Sequence, residues 1–164
     1  MITQIFQDAV FAAIAAIGFS AISRPPRKAF LWCALIAAAG HSARYVMLNC
    51  GSPLHIIPAT AIASLLIGFL AVFAARQAKF PAEVCLYPAL LPMIPGIYAY
   101  KTFGGLALCL SSATQAEFLR SFYLFAHNAL TCGALLVCMV LGATLPIFIL
   151  KKIAFQATRS LPRP

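Results

Sequence analysis

Residues 56–75 read IIPATAIASLLIGFLAVFAA, a run of twenty residues with no charged side chain. About 20 apolar residues in a helix cross the roughly 30 Å hydrocarbon core of a bilayer, so this run predicts a transmembrane helix. Pro58 fits, because a missing N–H is tolerated in the first helical turn. The whole chain is similar: 63% of its 164 residues are hydrophobic and 9% are charged. This composition excludes a soluble globular protein.

Other apolar runs of similar or greater length flank this one. They are 5–22, 29–48, a segment that starts near Glu83, and about 118–150. We therefore expect an all-α, polytopic membrane helical bundle of about five spans. Residues 1–152 form its transmembrane domain. Residues 153–164 are expected to be a loose cytoplasmic tail, because they have no sustained apolar pattern and contain Pro162 and Pro164.

The fourth span is predicted to be broken by prolines. Its residues 88–100 read PALLPMIPGIYAY. Pro88, Pro92 and Pro95 each remove a backbone donor and clash with the preceding turn, so they cannot share one regular helix. A broken helix near the bilayer midplane is how many transporters bind substrate, and the N–H groups after Pro95 and Gly96 would face an anion. A kink that serves only packing is the alternative.

The sequence after this break predicts a second interruption. Gly104 and Gly105 are expected to end the fourth span, and residues 106–112 are too short to cross a bilayer. We expect them to form a loop or an interfacial turn.

The distribution of Lys and Arg predicts the orientation. With the amino terminus outside, nine basic residues lie on the cytoplasmic side, two lie outside (Lys101 and Arg120), and Arg44 lies within the membrane. The nine are Arg24, Arg27, Lys28, Arg76, Lys79, Lys151, Lys152, Arg159 and Arg163. This asymmetry favours a cytoplasmic carboxyl terminus. It also accounts for the net charge of +9 without nucleic acid, since no basic run is interleaved with aromatic residues.

Arg44 is the residue whose placement costs the most free energy. An Arg at the centre of a membrane helix costs roughly 2.5–3.5 kcal/mol, so it usually faces protein or a wet cavity. His41 lies three residues earlier on the same helical face, and Gly40 lies beside it. A small, cationic face suits a carboxylate, which the planar Arg fork binds through two hydrogen bonds. An interfacial anchor is the alternative for Arg44, and a packing residue is the alternative for His41.

Asn128 is the remaining polar candidate. It lies about ten residues into the last span, where an amide either contacts an amino or carboxylate group or joins two helices. Asp8 and Glu83 are expected to be interfacial and Glu117 to lie in a loop, which leaves no acid within the membrane. Neither enzyme motifs nor metal-ligand spacings are present, so we expect no enzyme activity, cofactor or metal. An intramembrane enzyme stays an alternative.

Three blocks of the sequence resemble the small YjjB-type subunit of the threonine/serine exporter family. They are Leu31-Trp32-Cys33-Ala34-Leu35 with Gly40-His41-Ser42-Ala43-Arg44, Leu91-Pro92-Met93-Ile94-Pro95-Gly96 with Ala99-Tyr100, and Asn128 with Leu130-Thr131. The resemblance runs from about Ala12 to Lys152, and it leaves Pro88 and the tail unassigned.

The resemblance implies a transport function. Members export threonine and serine, or dicarboxylates such as succinate, across the bacterial inner membrane, and the small subunit works with a larger membrane subunit. Carried over, the substrate-binding residues are Gly40, His41, Arg44, Pro92, Pro95, Gly96 and Asn128. An accessory scaffold without substrate contact, and a self-sufficient homo-oligomer, are the open alternatives.

Overall fold

The computed structural model describes residues 2–50 and 53–151. Within these ranges the chain forms six α-helices, one short 3₁₀ helix and no β-strand. The α-helices are α1 (Ile2–Ile22), α2 (Arg27–Asn49), α3 (Ile56–Ala78), α4 (Glu83–Leu90), α5 (Gly96–Ser111) and α6 (Gln115–Ile149), and the 3₁₀ helix is Leu91–Met93. The predicted all-α fold is confirmed. The predicted tail, 153–164, lies outside the described residues.

Four of these helices, α1, α2, α3 and α6, are long and apolar enough to cross a membrane. A shorter apolar stretch, Glu83–Met93, follows α3. These features agree with a polytopic helical membrane bundle. The fifth crossing, which the sequence analysis assigns to the segment starting near Glu83, stays a prediction.

The chain divides into two compact units. The first contains residues 1–93 and 138–164, and the second is Ile94–Val137. The long helix α6 contributes its first part to the second unit and its last part to the first.

Small side chains form the contact between α1 and α2 in the first unit. Ala12 and Ala16 in α1 are buried, as are Ala29, Cys33 and Ala37 in α2, and all five belong to one core cluster. The spacing of four residues places each set on one helical face. Small residues let helix backbones approach closely, which is the main source of helix association in lipid.

Glycines set the distance between α3 and its neighbours in the same unit. A Cβ atom on Gly40 would overlap the Ile67 side chain, and a Cβ atom on Gly142 would overlap Ser64 and the Ala61 carbonyl. Gly40 therefore packs α2 against α3. Its predicted contact with substrate stays a prediction.

The helical path from Glu83 is interrupted between Leu90 and Gly96. The last turn narrows to the 3₁₀ helix, and Pro95 then precedes α5, where the Ala99 amide donates to the Pro95 carbonyl at 3.1 Å. Pro92 and Pro95 explain the interruption, because neither can donate a helical hydrogen bond.

Pro88 does not contribute to the interruption, in contrast to the prediction. It is buried inside α4, which continues to Leu90. Its ring leaves the carbonyl of Val84 without the usual donor. The Cys33 thiol of α2 donates to that carbonyl at 3.6 Å, so the neighbouring helix supplies a partner.

The second predicted interruption is also wrong. Helix α5 runs through Gly104 and Gly105 to Ser111, so residues 106–111 are helical rather than a loop. A Cβ atom on Gly105 would meet the backbone of Phe125 at 2.9 Å or less. Gly105 thus lets α5 lie close against α6, and packing outweighs the roughly 1 kcal/mol that glycine costs in a helix.

Candidate functional site

A polar cluster lies within the apolar first unit, and α2 provides its imidazole and its guanidinium. His41 is buried and Arg44 is half-buried, one helical turn apart. The fold places them between α1 on one side and the interrupted segment after α4 on the other, since their hydrogen-bond partners come from those elements. The predicted pairing of the two residues on one face is therefore seen in the structure.

Asp8 of α1 supplies the anion of this cluster. Its Oδ2 lies 3.2 Å from His41 Nδ1, and the side chains of His41 and Asp8 are 8% and 36% exposed. The charge of Asp8 also acts on the Arg44 guanidinium. The three residues form a compact charge cluster inside the helical bundle, which we call the Asp8–His41–Arg44 cluster.

The sequence analysis missed this role of Asp8. The apolar run starts at residue 5, whereas α1 begins at Ile2 and Asp8 is its seventh residue; the interfacial position of Asp8 stays a prediction. One feature of the sequence does indicate the pairing of Asp8 with α2. Asp8 is the one acidic residue between residues 2 and 50, so it is the one possible local counterion for the cations of α2.

Arg44 reaches the interrupted segment through a backbone carbonyl. Its Nη1 donates to the Met93 carbonyl at 3.3 Å. That carbonyl ends the 3₁₀ helix, where helical acceptors lose their usual donors and carry the negative end of the dipole. The prediction expected N–H donors of the break to face an anion, but toward Arg44 the break presents an acceptor.

His41 carries a second ring nitrogen that is not satisfied. Its Nε2 is buried and has no hydrogen-bond partner among the described residues. The ring also faces the backbone of Pro92, but without a hydrogen bond of acceptable geometry. An unpaired buried polar atom costs about 1–3 kcal/mol, so a ligand that supplies a partner would recover that cost.

Asn128 belongs to the second unit, where it lines a cavity of about 580 Å³. The side chain is buried, and its Nδ2 donates to the Leu124 carbonyl at 2.6 Å, one turn earlier in α6. The cavity wall also contains a cation, an imidazole and two phenols. Its lining residues are Tyr98, Tyr100, Lys101, Gly104, Gly105, Leu108, Leu124, His127 and Asn128.

The predicted site residues thus divide between the two units. Gly40, His41, Arg44 and Pro92 lie in the first unit, and Pro95, Gly96 and Asn128 lie in the second. The structure brings His41, Arg44 and the segment around Pro92 together. The sequence predicts Lys101 to be an outer charge and assigns it to no site, and His127, directly before Asn128, is a further lining residue that was not predicted.

The described part of the chain holds no group of three His, Cys, Asp or Glu residues arranged for a metal ion. The Asp8–His41–Arg44 cluster contains one carboxylate, one imidazole and one guanidinium. These groups bind and exchange anions and protons through hydrogen bonds.

Comparison with known proteins gives the following matches. The model of a protein family described as "Threonine/Serine exporter, ThrE" matches residues 8–149. A protein of Haemophilus influenzae (strain Rd), described as an uncharacterized protein, is 39% identical over 98 residues, which is 60% of this chain. The match covers 32% of that protein, so the chain aligns with about a third of the length of this curated relative. No solved structure matches the chain.

Proposed function

The chain belongs to the threonine/serine exporter family, and from this premise we propose that it is a membrane subunit that exports a small carboxylate-bearing metabolite together with a larger partner subunit. The substrate class is threonine and serine, or a dicarboxylate such as succinate. The protein lies in a bacterial inner membrane as a multi-pass subunit, with its amino terminus outside and its carboxyl terminus in the cytoplasm. Its transport domain is 1–152, and 153–164 is a cytoplasmic tail.

One observation carries the proposal: the Asp8–His41–Arg44 cluster lies among apolar helices and faces an interrupted helix. Charged groups inside a membrane bundle are costly, and they mark substrate or ion paths in membrane proteins. Irregular backbone at that depth is tolerated where it lines a cavity or is buried in protein. The cluster combines both features.

Arg44 is proposed to hold the substrate carboxylate. Its guanidinium has five N–H donors, and one hydrogen bond, to the Met93 carbonyl, is seen among the residues described here. The remaining donors can form the two-bond contact with a carboxylate. His41 assists through Nε2, and Gly40 keeps that face of α2 small.

The segment from Pro92 to Gly96 is proposed to act as a hinge that supplies backbone groups to the substrate. Pro92, Pro95 and Gly96 interrupt the helical path there, and hinges absorb backbone rotation at such element ends. Asn128 is proposed to contact the amino group or second carboxylate of the substrate. Its place in the wall of a cavity with Lys101 and His127 supports that role.

A larger membrane subunit is the proposed partner. Exposed apolar side chains are frequent on α5 and on the first part of α6, including Phe103, Leu110, Phe118, Tyr123 and Leu130. Either lipid or another membrane subunit covers such surfaces. The test is an efflux assay in cells that carry the chain with and without the neighbouring large subunit, across serine, threonine and succinate.

We expect export when both chains are present and none when either is absent. Export by this chain alone would favour a self-sufficient homo-oligomer. Substrate accumulation unchanged by either chain would contradict the proposal.

An accessory scaffold is the second candidate, and the hydrogen bond from Arg44 to the Met93 carbonyl favours it. In that case Arg44 stabilises the end of the 3₁₀ helix and the partner alone holds the substrate. A photoreactive substrate analogue discriminates the two. Labelling of this chain at α2 supports binding, and labelling of the partner alone supports the scaffold.

A further inference from the structure

We propose that Asp8 is an internal competitor for the substrate, and that the substrate's carboxylate displaces it from His41 and Arg44. This inference rests on the proposed function, because it names how the same site is regulated. In the empty state the Asp8 carboxylate contacts His41 and balances the nearby charge of Arg44. In the loaded state the carboxylate of the metabolite takes that place.

The charge balance of the cluster supports the exchange. Asp8 is the one acid that faces His41 and Arg44 among the described residues, and the break contributes only backbone groups of Pro92 and Met93. A second anion entering beside Asp8 would face it at close range inside an apolar bundle. Like charges at such distances are strongly unfavourable, so one carboxylate at a time occupies the cations.

The exposure of the three residues indicates which partner moves. The Asp8 side chain is 36% exposed and that of His41 is 8% exposed, so the anion is the accessible member of the pair. Arg44 is held on its other side by the Met93 carbonyl. Arg44 thus keeps a backbone partner when Asp8 leaves, and His41 is enclosed by its burial, so Asp8 is the member that moves.

The unpaired Nε2 atom of His41 is a second observation that points to a ligand. The side chain is more than nine-tenths buried, and Asp8 contacts only the other ring nitrogen. A metabolite with a carboxylate and a further polar group can satisfy Arg44 and Nε2 together, whereas Asp8 cannot. Because the metabolite satisfies one more buried polar atom than Asp8 does, its binding in place of Asp8 is favoured over Asp8 leaving without a replacement.

The exchange couples site occupancy to helix packing. Asp8 belongs to α1 and its partners belong to α2, and the two helices pack through small residues such as Ala12 and Ala37. Removing the charged contact leaves the hydrogen bonds from Tyr45 to Gln4 and from Cys33 to Ser20, together with the small-residue surface, as the links between α1 and α2. Substrate binding thus changes the contacts that hold α1 against α2. A transport cycle needs such a difference in contacts between the empty and the loaded state.

The experiment compares Asp8→Asn with Glu83→Gln in the purified full-length chain in detergent. Glu83 is an exposed acid in the first turn of α4 and makes no ion pair among residues 2–50 and 53–151, so it is a matched control. Thermal unfolding is measured in sodium formate and in sodium chloride at equal ionic strength. We expect Asp8→Asn to unfold at a lower temperature in chloride and to regain stability in formate, because formate replaces the missing carboxylate. The wild type and Glu83→Gln should unfold alike in both salts.

A second measurement uses binding of L-serine, L-threonine and succinate to the same proteins. We expect Asp8→Asn to bind the accepted metabolite about tenfold more tightly than the wild type, which corresponds to about 1.4 kcal/mol of removed competition. Equal or weaker binding by Asp8→Asn overturns the proposal. Weaker binding of the amino acids alone would assign Asp8 to the substrate's ammonium group instead.

The two measurements separate failure of this inference from failure of the proposed function. A formate effect without metabolite binding retains Asp8 as an exchangeable counterion and contradicts the proposed substrates. Metabolite binding that is accompanied by neither a formate effect nor a gain in affinity in Asp8→Asn supports the proposed substrates. It contradicts the role of Asp8 as an exchangeable counterion. Asp8→Ala, which leaves more room for formate, serves as a second variant. If neither variant folds in formate, the exchange is contradicted.

Discussion

Arg44 shows how one residue can combine a structural and a transport role. The guanidinium donates to the Met93 carbonyl of the interrupted segment, and it lies one helical turn from the His41–Asp8 pair. Its planar fork can keep the carbonyl and still bind a carboxylate. A Lys ammonium keeps the charge but loses the two-bond geometry.

We therefore expect Arg44→Ala to lower the export rate by at least about tenfold, a loss of one charge-assisted contact worth 1.4 kcal/mol or more. Arg44→Lys should retain part of the activity with a higher KM. The control is Arg76→Lys, because Arg76 is exposed in the last turn of α3. Initial efflux rates are compared at equal membrane levels. Normal rates for both Arg44 variants would contradict the binding role.

At the scale of helices, glycines and small residues decide which surfaces meet. In the first unit Gly142 leaves no room for a Cβ atom beside Ser64 and the Ala61 carbonyl. In the second unit Gly105 is equally restricted by Phe125, whereas its neighbour Gly104 faces open space in the cavity wall. The neighbouring glycines of α5 thus differ in whether they have room for a larger side chain: Gly104 has room and Gly105 does not.

Gly142→Ala is expected to destabilise the protein by about 1–3 kcal/mol, because the added methyl group meets backbone that cannot move freely. Gly18→Ala is the matched control, since a Cβ atom on Gly18 meets nothing within 4 Å. There the gain in helix propensity should leave stability equal or slightly higher. Denaturant unfolding in detergent measures both. A Gly142→Ala protein as stable as the wild type would show that α3 and α6 do not pack this closely.

Gly104→Leu tests whether the cavity of the second unit takes part in transport. A Cβ atom there meets nothing within 4 Å, so the added side chain has room to project into the cavity. We expect several-fold slower export at an unchanged unfolding temperature. Gly133→Leu adds the same side chain at an open position of α6 that is not part of the cavity lining, and it should export normally. Equal export by the two variants would remove the cavity from the pathway.

For the molecule as a whole, the number of crossings and the orientation are linked. The four long helices alone would return the carboxyl terminus to the side of the amino terminus, whereas a fifth crossing near Glu83 would place it on the other side. The nine-to-two asymmetry of Lys and Arg favours the second arrangement.

A reporter joined to the carboxyl terminus tests this arrangement. Green fluorescent protein fused there should fluoresce, and alkaline phosphatase at the same place should be inactive, because that end is expected in the cytoplasm. The same reporters at the amino terminus should give the opposite pattern. Active alkaline phosphatase at both termini would exclude five crossings, because an odd number of crossings places the two ends on opposite sides.

Local chemistry explains why much of the architecture can be predicted from the sequence. The apolar run at 56–75 requires a helix, because backbone groups in lipid must be satisfied within the segment. Pro92 and Pro95 interrupt the next helix for equally local reasons, since each removes a donor from its own turn. The polar pair of His41 and Arg44 follows from helical periodicity alone.

The partners of these residues depend on contacts between distant segments. Asp8 contacts His41, which lies 33 positions later in the sequence. The Cys33 thiol donates to the Val84 carbonyl, 51 positions later, and so supplies the hydrogen bond that Pro88 cannot donate inside α4. From the sequence, Gly105 predicts the end of a helix. In the structure it lies inside α5, where the backbone of Phe125 packs against it. Helical periodicity arises from hydrogen bonds between near neighbours in the chain, whereas these pairings arise from how finished helices fit together. The folded bundle alone shows that an acid of α1 pairs with His41, one helical turn from the charge of Arg44.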